Sequence, residues 1–198
     1  LVDSALTTVE SLGHESLSVR DAARSVGVTH TAAYRHFADR DALLAAVASQ
    51  GFRAMRGTIL RGLKRGGEDA LERSIQGGVA CVVYCVEHAR LVRLMVAASS
   101  RRPGDSCELE AARQLCFDLL VAVVMDCQKQ RRFVRGDPKI MAVAIWAQIY
   151  GLAQLIAEGM LGRDLTKRKV KELACIVERM LVTGLMQRDD EEIAGEPS

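Results

Sequence analysis

Cys81, Cys85 and His88 fall at i, i+4 and i+7 of one apolar run, a spacing that stacks two thiols and an imidazole on one helix face. A soft metal such as zinc or copper(I) would accept such a trio. The same residues also read as small buried side chains, since free cysteine is among the most buried residue types. Cys116 and Cys127 share a similar face of a later run. A second group is more crowded: Thr29, His30, Thr31, Tyr34, Arg35 and His36 lie within eight residues, shortly after Gly27. Side chains of these types reach phosphate oxygens and base edges. Catalytic patterns are missing, with no glycine-rich phosphate loop, nucleophile elbow or His-Glu-x-x-His run. The expectation is a non-enzyme without a catalytic residue, cofactor or resident metal.

The elements that carry these groups read as helices throughout. Aromatics make up only 4% of the chain, so Leu, Val, Ile, Met and Ala must fill the core, which favours helices over sheets. Prolines stand only at 103, 138 and 197, leaving room for long helices. The first helix runs to about Leu12 and is expected to bury Ala5, Leu6, Val9 and Leu12, with Gly13 ending it. Further helices are predicted over 18–27, 29–37, 39–65, 69–88, a short piece to about 98, then 106–132, 138–161 and 166–187. Arg101–Asp105 reads as a loop and Asp189–Ser198 as a disordered acidic tail.

The stretch from Ser18 to Phe37 has the local logic of a helix-turn-helix. Ser18 followed by Asp21 resembles a capping box. Ala22 and Ala23 allow two helices to cross closely, Gly27 supplies a positive φ, and Val28 is expected to plug the corner. Thr29 then caps a short helix whose N-terminal side chains suit a major groove. Thr29, His30, Thr31 and Arg35 are the candidates for base edges, and Ser18 and Arg20 for phosphates at a helix start. Residues 1–50 hold six acids against four arginines, so one such head is a weak electrostatic binder and two copies on one operator are expected.

Gly27-Val28, Tyr34-Arg35-His36-Phe37 and Arg40-Asp41-Ala42-Leu43-Leu44 together resemble the signature of the TetR family of bacterial regulators. The resemblance implies that Tyr34, His36 and Arg40 bind phosphates and that Phe37 is core. It implies an all-α chain divided into a helix-turn-helix DNA-binding domain (1–47), a helical ligand-binding and dimerisation domain (48–188) and the tail. Trp146-x-x-x-Tyr150-Gly151 resembles a C-terminal class marked by Trp-x3-His-Gly, with Tyr150 in place of the histidine.

The family's middle helices enclose a ligand cavity. Its candidate lining here is Tyr84, Cys85, Met95, Cys116, Leu119, Val123, Trp146 and Tyr150, which suits a small hydrophobic effector. The last two helices each carry two apolar stripes. Ile140, Ala144, Ala147 and Gly151 oppose Met141, Ile145, Leu152 and Ile156 on the first, and such helices must be covered on both sides. A homodimer on double-stranded operator DNA follows. The expected function is a repressor released by its effector. A Cys/His metal or redox sensor and a non-switching DNA-binding protein stand as alternatives. Cysteines placed in apolar helical runs, with no signal-peptide pattern, point to a reducing cytoplasm. Gln148, Gln154 and Glu158 interrupt the most apolar run, so no membrane span is expected. Leu1 opens inside a helical pattern, so further residues are expected upstream.

Overall fold

The computed structural model describes residues 1–100, 106–162 and 165–186. The loop expected at Arg101–Asp105, the acidic tail and the helix end expected at Gln187 lie outside them. Among the described residues there are nine α-helices and no strand: α1 (Val2–Leu12), α2 (Val19–Ser25), α3 (His30–His36), α4 (Arg40–Arg65), α5 (Ala70–Glu87), α6 (Ala89–Ser99), α7 (Cys107–Lys129), α8 (Pro138–Ala157) and α9 (Lys167–Leu185). Polar residues start most of them. Ser18, Thr29, Asp39, Asp69, Ser106, Asp137 and Thr166 each accept a backbone N–H from the first turn of the following helix. Each such cap contributes about 1 kcal/mol, and this is why the breaks were legible.

Gly27 adopts φ +70° between α2 and α3, as the sharp turn requires. Val28 does not plug that corner. The turn is closed by backbone bonds, Gly27 N–H to the Arg24 carbonyl at 3.2 Å and Val28 N–H to the Ala23 carbonyl at 3.1 Å, and the Val28 side chain stays exposed. Leu17, Val19, Ala22, Ala23 and Ala33 fill the space instead. Leu12 is also not buried. It is the last residue of α1 before Gly13 turns the chain into a single 3-10 turn (His14–Ser16), and it is 67% exposed.

Two apolar cores hold the molecule. One joins α1–α3 to the first half of α4, the end of α5 and α6, through residues such as Val9, Leu43, Val47, Leu91 and Met95. The other joins α5, α7, α8 and α9 through Ile75, Val82, Val124, Ile145, Ala174 and Val182. α4 begins shortly after α3 and continues into the body, so both regions share one long helix. The chain between α7 and α8 is tied down by Phe133, which is buried, and by Val134 N–H bonding the Leu185 carbonyl at 2.9 Å.

By length and composition alone, α8 is long and apolar enough to cross a membrane. One side of it is nevertheless packed in the body, where Ala142, Ile145, Ile149, Leu152, Ala153 and Ile156 are buried. That side belongs mainly to the second core, while Ile140, Val143 and Trp146 on the same helix stay exposed.

Candidate functional site

α2 and α3 present the first set of groups. Ser18 Oγ accepts the Asp21 N–H at 3.0 Å and donates to Asp21 Oδ2 at 2.7 Å, so the hydroxyl is closed onto its own helix. Thr29 Oγ1 accepts the Ala32 N–H at 3.2 Å, which leaves its own proton to donate. Arg20, Thr29, His30, Thr31, Tyr34, Arg35 and His36 are exposed. The His30 and Tyr34 rings lie against one another, 4.6 Å between centroids, as i and i+4 neighbours on one face. Ala33 of α3 is buried, and Phe37 is half-buried against the same core.

Arg40 is placed differently from a freely projecting phosphate ligand. Its Nε donates to the Leu17 carbonyl at 2.8 Å, and Nη2 donates to the carbonyls of His14 at 2.6 Å and Glu15 at 3.4 Å. The guanidinium therefore clamps the turn before α2 to the start of α4. The carbonyls left bare by that short turn draw it inward.

In the body, α4–α8 enclose a cavity of about 330 Å³. Seven of the eight expected lining residues border it: Cys85, Met95, Cys116, Leu119, Val123, Trp146 and Tyr150. Tyr84 does not. It is one position and about 100° round the helix from Cys85, and its Oη donates to the Gly51 carbonyl at 3.0 Å in the adjoining core. The sequence reading missed Phe52, Met55, Ile59 and Leu63, by which α4 forms a wall, and Arg113. Arg113 is already paired, with Nε and Nη2 donating to the two Glu110 carboxylate oxygens at 3.1 and 2.5 Å.

Cys81 and Cys85 face the cavity, but His88 does not join them. Its ring packs on Tyr84 and its Nδ1 meets Glu10 of α1 at 2.6 Å. Among the described residues no His, Cys, Asp and Glu group could hold a metal. A hydrogen bond to Cys85, with burial, holds the Cys81 thiol well above its ordinary range, and burial pushes Cys116 up to about 11. Protonated thiols are poor ligands and poor nucleophiles.

One buried polar group went unforeseen. Glu178 of α9 is 2% exposed, its Oε1 has no hydrogen-bond partner among the described residues, and burial raises its carboxyl to about 8. It lies against Gly78, which borders the cavity, and a Cβ at Gly78 would overlap the carboxyl. A glutamate on a helix ordinarily reads as solvated; only the Gly77-Gly78 pair on α5 hinted at so close an approach.

The outer sides of α8 and α9 form an uncovered apolar face. The stripe of Met141, Ile145, Leu152 and Ile156 turns inward, while Ile140 (70% exposed), Val143, Ala144, Ala147 and part of Trp146 turn outward. On α9, Ile176 and Met180 (70% exposed) do the same. Exposed apolar patches on a protein surface are where partners commonly bind.

Two family models match the chain. Residues 1–47 match the model for bacterial regulatory proteins of the tetR family, and residues 75–181 match the tetracyclin repressor-like C-terminal domain. No curated protein matches. Among solved structures, the chain is similar to a protein of unknown function from a Rhodococcus species, at 31% identity and a TM-score of 0.83, over 94% of this chain and 93% of that one. A TetR family transcriptional regulator, PfmR, from Thermus thermophilus shares the fold at 19% identity and a TM-score of 0.68, over 94% and 96% of the two chains. The fatty acid degradation regulator FadR from Bacillus halodurans shares it at 15% identity and a TM-score of 0.69, over 93% and 97%.

Proposed function

The chain belongs to the TetR family of bacterial transcription regulators, DNA-binding proteins and not enzymes, and from that premise we propose that it is a homodimeric repressor released from its operator by a small hydrophobic effector. The observation that carries this reading is the convergence of α4, α5, α6, α7 and α8 on one apolar cavity, with α4 also starting beside the recognition helix. An effector acts as a switch when it prefers one of two dimer geometries. α6 offers a second connection. It borders the cavity, and Arg90 near its start donates to the carbonyls of Glu10 and Ser11 at the end of α1.

In this reading Thr29, His30, Thr31 and Arg35 meet base edges, while Arg20, Tyr34 and His36 hold phosphates. Arg40 holds the head together and reaches phosphate only with the part of its guanidinium left over. Ser18 contributes chiefly as a cap. The dimer forms through the outer faces of α8 and α9, and the protein works in the cytoplasm.

The test is selection of fragments from random double-stranded DNA by the purified protein, followed by release with panels of small apolar molecules. A near-palindromic site is expected, its half-sites about 34–36 Å apart. A protein that stays monomeric, or that enriches no duplex sequence, overturns the reading.

A further inference from the structure

Arg113 lines the cavity, whereas Glu178 lies against Gly78 of its wall without lining it, and the two are not equivalent. Arg113 is neutralised in place by both oxygens of Glu110, so it offers little to an anionic ligand. Among the described residues Glu178 has no counterion. Its neighbours at the cavity are the Gly78 backbone and Cys81, whose thiol its charge pushes further up, and Arg179 beside it points outward to Glu72 at 2.9 Å. A buried carboxyl left without a partner is costly, and native proteins rarely keep one that does nothing. Gly78 leaves its backbone bare at this point, where a larger residue would displace the carboxyl.

We propose that Glu178 is the polar anchor of the effector site, and that the effector is an apolar molecule bearing a basic amine. This deepens the regulator reading and rests on it. An ammonium supplies both the missing hydrogen bond and the missing charge, and charge-assisted bonds are roughly twice as strong as neutral ones. Either a neutral amine enters and takes the carboxyl proton, or an ammonium enters and that proton leaves to water. Both routes end in the same carboxylate–ammonium pair. The rest of the molecule lies along Phe52, Met55, Leu119 and Trp146.

The test uses the full-length protein and three probes of equal chain length: decylamine, decanol and decanoate. Trp146 is the one tryptophan in the chain and borders the cavity, so its fluorescence reports occupancy. Decylamine is expected to bind at least tenfold more tightly than decanol or decanoate, and to release operator DNA. In Glu178→Gln, folded by circular dichroism, that preference falls to about twofold or less while decanol affinity is unchanged. Equal binding of amine and alcohol to the unaltered protein overturns the anchor and leaves the regulator reading standing. So does an amine preference that survives in both Glu178→Gln and Glu178→Leu. Failure of all three probes to bind overturns the cavity reading along with it.

Discussion

The DNA-reading head and the helical body satisfy their polar and apolar surfaces in opposite ways. In α1–α3 the caps are made by Ser18 and Thr29, the bare carbonyls of the 3-10 turn are taken by Arg40, and the core is filled by small residues such as Ala5, Ala22, Ala23 and Ala33. The head leaves no buried side-chain polar atom unpartnered among the described residues, although its core runs on into α4–α6. The body is different: Glu178 Oε1 and both polar atoms of the Gln148 side chain are buried without partners, α4–α8 surround open space, and α8 and α9 carry an uncovered apolar face. A region whose polar groups are already satisfied gains little from a partner. An open one has free energy to gain from a partner or a ligand, and so can be switched by one.

That contrast breaks first at the outer face. Ile176→Asp combined with Met180→Asp places two charges on the proposed interface. It is expected to give monomers by light scattering and to weaken operator binding more than a hundredfold, with helix content retained. A dimer surviving both changes would mean the face is not the interface.

The carboxyl of Glu178 gives the next largest effect. Its folded value of about 8 lies above the ordinary 4.5, so the folded state binds the extra proton between those limits. Stability contributed by the protonated form is complete below about 4.5 and is lost as pH rises through about 8. Glu178→Gln is therefore expected to change little at pH 4.5. It should stabilise the protein by about 2–4 kcal/mol at pH 9, at roughly 1.4 kcal/mol per pH unit before relaxation of the site. Urea unfolding at the two pH values measures it. A difference that stays flat with pH would show the carboxyl to be partnered in solution.

The head is expected to answer more weakly. Arg40→Ala leaves the carbonyls of His14 and Leu17 without their donor and should cost about 1–3 kcal/mol. Hydrogen exchange should then show faster opening of α1–α3 with α5–α9 unchanged. Gly27→Ala meets no neighbouring atom, so only the positive φ resists it. About 1 kcal/mol is expected, read as a small fall in melting temperature.

The helices were legible because their ends are written locally, in caps such as Ser18, Asp39 and Asp137 and in breakers such as Gly27. Seven of the cavity residues were legible because an apolar face on α5, α6, α7 or α8 has only a few things to face. What escaped depends on contacts between distant segments. Tyr84 shares the apolar character of Cys85, and only the Gly51 carbonyl, 33 residues earlier, decides which way its ring goes. Arg40 sits in a motif position that suggests phosphate, yet its nearest acceptors are carbonyls of a turn more than 20 residues before it. Glu178 is one charge among several on α9, and its burial follows from α5 lacking a side chain at Gly78. Periodicity records which face is apolar, not which single polar residue on that face has been enclosed.

α4 has 26 residues and so extends about 39 Å at 1.5 Å per residue. From Ile59 at the cavity wall to Arg40 beside the recognition helix is about 28 Å on the same scale. Swinging that arm by about 5° carries its far end about 2.5 Å, comparable to the length of a hydrogen bond. A displacement too slight to disturb the packing around Ile59 is thus magnified, at the opposite tip, into a misfit with the groove.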